Sequence, residues 1–86
     1  MSKKPNAKLN IQIHSPEETI WQGEADAVSS TNSLGEFDIL PEHANFITIV
    51  ENKPILIHQG KEALTFNFYY SVIHSEKDRV RIFAHI

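Results

Sequence analysis

Gly35-Glu36-Phe37-Asp38-Ile39-Leu40-Pro41-Glu42-His43-Ala44 is the stretch on which the reading of this chain turns. The glycine at its head permits a tight or left-handed turn. Phe37 and Ile39 then alternate with polar Glu36 and Asp38, the period of a strand with one buried face. Pro41 lacks a backbone donor and ends that strand. Glu42-His43-Ala44-Asn45 reads as a polar loop, after which Phe46-Ile47-Thr48-Ile49-Val50 takes the chain back into a core. A short loop pinned at both ends by buried strands is suited to presenting Glu36 and His43 to a partner.

The same period of two extends in both directions. Leu9, Ile11 and Ile13 alternate with Asn10 and Gln12, giving a first strand over residues 8–13, and His14-Ser15-Pro16-Glu17 forms a turn. Thr19 to Gln22 is a second short strand, closed by Gly23. Ala25, Ala27 and Val28 suit a crowded sheet face, and residues 31–35 form a loop. Beyond the break at Glu51-Asn52-Lys53-Pro54, Ile55 to His58 and Ala63 to Tyr70 flank Gln59-Gly60-Lys61-Glu62, a hairpin connection. Leu64, Phe66, Phe68 and Tyr70 share a face expected to fill the core, with Tyr69 on the other side. Ser75-Glu76-Lys77-Asp78 turns into a last strand, in which Val80, Ile82, Ala84 and Ile86 share a face and Phe83 is out of phase with them. No window has convincing helical spacing. Many short strands separated by turns make an all-β sandwich or barrel.

With 86 residues the chain is one domain, near the lower limit for folding without staples, and 41% apolar residues suffice for a modest core. A net charge of −3, with the basic cluster Lys3, Lys4 and Lys8 in an N-terminus expected to fray, argues against nucleic-acid binding. The absence of cysteine excludes disulfides and thiolate chemistry. No apolar run approaches the ~20 residues that span a bilayer. His14, His43, His58, His74 and His85 are scattered, without a close-spaced ligand motif. Carboxylates occupy turns, no serine lies in a GxSxG elbow, and three glycines make no phosphate loop. No catalytic residue, metal or cofactor is therefore expected. Tyr69 and Phe83 are candidates for a partner patch.

The stretch from Gly35 to Ala44 resembles the GEFGILPGHA segment of the ε subunit of F-type ATP synthase. The turn Pro16-Glu17, the strand ending at Gly23, the run Ala25-Asp26-Ala27-Val28-Ser29 and the closing Val80 to His85 follow that family's order, so the resemblance covers residues from about Leu9 to His85. It implies a flattened β-sandwich of about ten short, mostly antiparallel strands over residues 8–86, behind a flexible tail at 1–7. It also implies a non-catalytic rotor subunit, without cofactors, that binds the γ subunit and the polar loops of the membrane c-ring. Such a subunit is peripheral, at the cytoplasmic face of a bacterial inner membrane, and couples ion-driven rotation to ATP synthesis. The family's motif glutamate and histidine match Glu36 and His43, which are expected, with Glu42, to face the c-ring. Tyr69 and Phe83 are the expected γ contacts.

Three departures accompany the resemblance. Asp38 and Glu42 stand where the family usually has glycine, so a position needing positive φ would be strained. Tyr69-Tyr70-Ser71 replaces a common SGG, making the γ contact bulkier. The family's C-terminal helical hairpin has no counterpart in the sequence, so its inhibitory action and ATP site are not expected. A stand-alone β-sandwich adaptor of the same fold is the alternative reading.

Overall fold

Alternating polarity drives one side chain in two to a shared interior, and a computed structural model shows the result as nine strands. It describes residues 7–85, apart from the side chains of His43 and Ala44. The frayed tail expected over residues 1–7 thus falls, Ala7 aside, outside the described residues, as does Ile86. The strands are β1 (Leu9–His14), β2 (Thr19–Ala25), β3 (Ala27–Asn32), β4 (Gly35–Ile39), β5 (His43–Glu51), β6 (Pro54–Gln59), β7 (Glu62–Asn67), β8 (Tyr70–Lys77) and β9 (Arg79–His85). There is no helix among the described residues, and so none long and apolar enough to cross a membrane.

The strands form a five-stranded sheet, in the order β2-β1-β9-β8-β5, and a four-stranded sheet, β4-β3-β6-β7. Neighbours are antiparallel except β1 and β9, which run parallel at the heart of the larger sheet. The inner faces meet as a sandwich. Leu9, Ile11, Ile13, Ile73, Val80 and Ile82 from one sheet and Val28, Ile39, Ile55 and Ile57 from the other are essentially inaccessible to solvent. Ile13, Ile82 and Ile73 lie side by side across β1, β9 and β8 as one apolar row. Ser71 and Ser75 are also fully buried on β8, with hydroxyls that meet no partner.

Several boundaries differ from the sequence reading, each for a local reason. Gly23 lies within β2 rather than ending it, because the Trp21 ring is folded over it: a Cβ there would sit 2.7 Å from the indole. The expected loop at residues 31–35 shrinks to Ser33-Leu34, with Asn32 and Gly35 already paired. The expected turn at residues 75–78 shrinks to Lys77-Asp78; Lys77 takes a φ of 56°, and Ser75 is core. Of the loop expected from Glu42 to Asn45, Glu42 does lie in a turn, whereas His43 to Asn45 are the irregular start of β5, whose backbone pairs with β8 from His43. In the apolar run of β5 only Val50 is fully buried, since the strand is an edge whose other face points outward. Leu64, Phe66 and Phe68 do pack on the core, but β7 stops at Asn67 and the chain crosses sheets there. Tyr70 therefore opens β8 on the outer face, half-buried, instead of filling the core.

Candidate functional site

Strand β4 carries the opening motif along the edge of the four-stranded sheet. Its alternation turns Phe37 and Ile39 inward, and Phe37 packs against Phe46 with ring centroids 5.4 Å apart. Glu36 and Asp38 are left exposed on the outer face. At the start of β4, the turn Ser33-Leu34 needs no positive φ, because Gly35 absorbs the reversal at φ 126°. Asn32 holds this turn from both sides. Its Oδ1 accepts the Leu34 N–H at 2.9 Å, and its Nδ2 donates to Thr48 Oγ1 of β5 at 3.0 Å.

Glu42 lies at the other end of the sandwich. Strand β4 carries the chain from Glu36 to Ile39, roughly 10 Å away from the Ser33-Leu34 turn, and the turn at Pro41-Glu42 follows. The Glu42 N–H donates to Asp78 Oδ1 at 2.8 Å, next to the β8–β9 turn, and the backbone of His43 pairs with Lys77. The side chain of His43 lies outside the described residues. Glu36 and Glu42, grouped by the sequence reading on one ring-facing surface, are therefore not brought together.

The two departures from glycine separate in the same way. Glu42 has a φ of 63°, in the left-handed region that favours glycine, and its bond to Asp78 offsets part of that cost. Asp38 keeps ordinary strand geometry and accepts a hydrogen bond from Ser29 Oγ at 2.5 Å. Ser29 Oγ in turn lies 2.9 Å from His58 Nε2, so a polar chain crosses β4, β3 and β6 on the outer face. Opposite signs are expected on reverting the two positions. Glu42→Gly should stabilise the domain by about 0.5–1 kcal/mol, and Asp38→Gly should destabilise it by about 1 kcal/mol. Thermal melts of both variants check this, and a fall in melting temperature for Glu42→Gly would contradict the strain.

The outer face of the five-stranded sheet has a different character. Register places His14, Phe83, Val72 and Ile49 side by side across β1, β9, β8 and β5. His14 stacks on Phe83 at 5.9 Å between ring centroids. Ile47, Ile49 and Phe83 are solvent-exposed, so an apolar stripe lies open across the sheet. Beside it is a shallow cleft of about 320 Å³ lined by His14, Pro16, Tyr70, Val72, Phe83 and His85. Tyr69, paired with Phe83 in the sequence reading, does not line this cleft; Tyr70 does. Tyr69 instead stands exposed on the β7–β8 connection, its carbonyl accepting the Asn52 N–H at 2.9 Å.

Asp26 sits at the corner between β2 and β3, where its carboxylate accepts hydrogen bonds from the Lys8 ammonium and the Gly60 N–H. Those bonds, the Lys8 one foremost, hold the carboxyl below its ordinary value. No group of three or more metal-ligating side chains gathers among the described residues. What the sequence reading missed is apolar: Ile47, Ile49 and Leu34. Strict alternation in Phe46 to Val50 was the available signal, because period two sends one of two adjacent apolar sets outward. Leu34, in a turn, carried no periodic signal at all.

Comparison with known proteins accords with this architecture. Residues 8–86 match the family described as the ATP synthase, Delta/Epsilon chain, beta-sandwich domain. An ATP synthase epsilon chain of Micrococcus luteus is 34% identical over 82 residues, covering 91% of this chain and 87% of its own. That of Geobacter metallireducens is 28% identical over 75 residues, and there the match takes in 87% of this chain but only 54% of the relative. The chain thus spans about half the length of some relatives and most of the length of others. A chain of the Euglena gracilis mitochondrial ATP synthase OSCP/F1/c-ring structure superposes with a TM-score of 0.83 at 15% identity, over 98% of this chain and 54% of its own. One from the central stalk/c-ring structure of the Tetrahymena thermophila enzyme gives 0.74 at 9% identity, over 92% and 64%. At those identities the two structures speak for the fold alone. An all-β sandwich with the Gly35–Ala44 motif on its edge, matched over nearly its whole length, places this chain in the ATP synthase delta/epsilon beta-sandwich family.

Proposed function

We propose that the chain is a non-catalytic ε-type subunit of the F-type ATP synthase rotor, binding the γ subunit and the c-ring and coupling ion-driven rotation to ATP synthesis. The observation that carries this reading is the opposed character of the two outer faces. Phe83 heads an exposed apolar stripe on the five-stranded sheet, while Glu36 stands on the polar face of the four-stranded sheet. A subunit wedged between two different partners needs two unlike surfaces. The apolar stripe suits a durable contact with γ, and exposed Glu36 suits polar ring loops, where a charge governs docking and fit. The subunit is then peripheral, held at the cytoplasmic face of a bacterial membrane through the complex.

Co-purification tests the assignment. Tagged chain should retain both γ and the c-ring of the source organism at low and moderate salt. Phe83→Ser should reduce γ recovery about ten-fold, and Glu36→Ala should weaken ring retention while leaving the melting temperature nearly unchanged. Recovery of neither partner with the unaltered chain would sink the rotor reading.

A further inference from the structure

Three of the chain's five histidines gather on one surface, the outer face of the five-stranded sheet. His14 ends the apolar row that it shares with Phe83, Val72 and Ile49. His85 lies two residues beyond Phe83 on β9, roughly 7 Å along the strand, and pairs with Tyr70. His74 lies two residues beyond Val72 on β8, with Arg81 opposite on β9 and Ile47 opposite on β5. The imidazoles thus flank Phe83 and Val72, the middle of the stripe, on three sides. His14 and His74 are already half-buried, whereas His85 is exposed. A partner surface broad enough to cover the stripe covers these imidazoles with it.

What each imidazole meets decides which of its charge states tolerates covering. The polar neighbours of His14 are uncharged: Thr19 Oγ1 of β2 lies 3.2 Å from Nδ1, and Gln12 Oε1 lies 3.3 Å from Nε2. Phe83 of β9 stacks on the same imidazole, and Glu17 and Glu18, the carboxylates nearest in sequence, are exposed in the β1–β2 turn. Beside His74 stands a cation, Arg81. The carboxylate on its own strand, Glu76, lies 4.0 Å from that guanidinium and is paired across the ladder with Arg79. The β5 neighbour of His74, Ile47, is apolar. His85 shares a cleft with Ser15 and Pro16 from the β1 side and Tyr70 from β8, and Glu51 of β5 lies one strand further on. Histidine changes charge between about pH 5 and 8. Its neutral form packs in an apolar contact, but an imidazolium taken out of water needs a counter-charge. The carboxylates that could serve, Glu76 and Glu51, are engaged with Arg81 or stand a strand away.

We propose that this face makes a proton-gated contact, binding γ with His14 and His74 neutral and releasing it as pH falls through the histidine range. The complex holds fewer protons than the separate chains, so acid favours dissociation. The inference rests on the γ-binding reading above and adds a regulation to it: acidification loosens the subunit from γ.

Affinity for isolated γ of the source organism, measured at fixed ionic strength, tests it. Kd should rise about 100-fold from about pH 7.5 to about pH 5.5, about ten-fold for each of the two half-buried imidazoles that must lose a proton. His14→Gln and His74→Gln should each cut the rise to about ten-fold, and the double variant should hold Kd within about three-fold between the same pH values. His85→Gln alters an exposed side chain and should keep most of the rise. Thermal melts of the chain at both pH values separate loss of contact from loss of fold. Calorimetry of the unaltered pair at about pH 6, in buffers of different ionisation enthalpy, reads the same linkage without a variant: binding should release about one to two protons. Binding to γ with no pH dependence, or with affinity that rises in acid, would overturn the gating while γ binding stands. So would a rise in Kd that persists in the folded double variant, since the protons would then belong to γ. No binding to γ at any pH would remove the γ reading and the inference with it.

Discussion

Gly23→Ala is expected to cost the domain about 2–3 kcal/mol, a drop of roughly 10–20 °C in melting temperature. The added methyl group would meet Cζ2 and Cη2 of Trp21 at 2.7 Å, closer than carbon atoms approach without displacement. The indole has little freedom to yield. It is half-buried, packs against the core, and lies 6.1 Å from the Phe66 ring, which stacks in turn on Phe68. Moving it disturbs an aromatic series that links the edge of the five-stranded sheet to the four-stranded one. Two controls isolate the cause. Gln22→Ala, exposed on the same strand, should be close to neutral. Introducing Trp21→Leu into the Gly23→Ala background should recover part of the loss by removing the colliding atoms. A melting temperature for Gly23→Ala within about 2 °C of the unaltered protein would mean that the ring slides aside freely.

Ile82→Ala should be costlier, about 3–5 kcal/mol. Ile82 is completely buried at the centre of the row with Ile13 and Ile73, on a strand hydrogen-bonded on both sides. The surrounding strands cannot collapse into the vacated space without disturbing two ladders at once. For an 86-residue domain such a loss consumes much of the total stability, so the variant should be partly unfolded at 37 °C. Ile82→Val removes a single methylene group and should cost about 1 kcal/mol. Urea titrations of both variants decide the point: similar midpoints would show that the row relaxes around the missing atoms.

Much of this architecture was legible because alternation is a strong signal wherever one face is buried. Leu9, Ile11 and Ile13, and likewise Val80, Ile82 and Ala84, announced their strands and their inward faces directly. Gly23 misled because a glycine after a short strand reads as a stop, whereas its smallness accommodates a ring from two residues earlier. Tyr70 misled because its period continued through Phe68 while the backbone changed sheets. Within the motif, local spelling showed that Glu36 would be exposed but could not show that Glu42 bonds to Asp78 in the β8–β9 turn, at the far end of the sandwich. Nor could it tell Asp38 from Glu42. Both replace glycine, and only the closed chain reveals which of the two bends to a φ of 63°. The apolar stripe over His14, Phe83, Val72 and Ile49 comes from four separate strands, so no window of sequence contains it.

The parallel pairing of β1 with β9 governs how the domain is born. Ile13 and Ile82 are cross-strand neighbours 69 positions apart (82 − 13), so joining them closes most of the chain into one loop. By loop-closure scaling the length-dependent part of that entropy is about 4 kcal/mol, and it must be met before the contact returns anything. During synthesis β1 therefore leaves the ribosome with β2 as a hairpin partner but with its inner edge bare, and it stays so until residue 85 has emerged. The edge of β1 that ends up beside the central strand of the finished sheet is thus the one left unpaired longest.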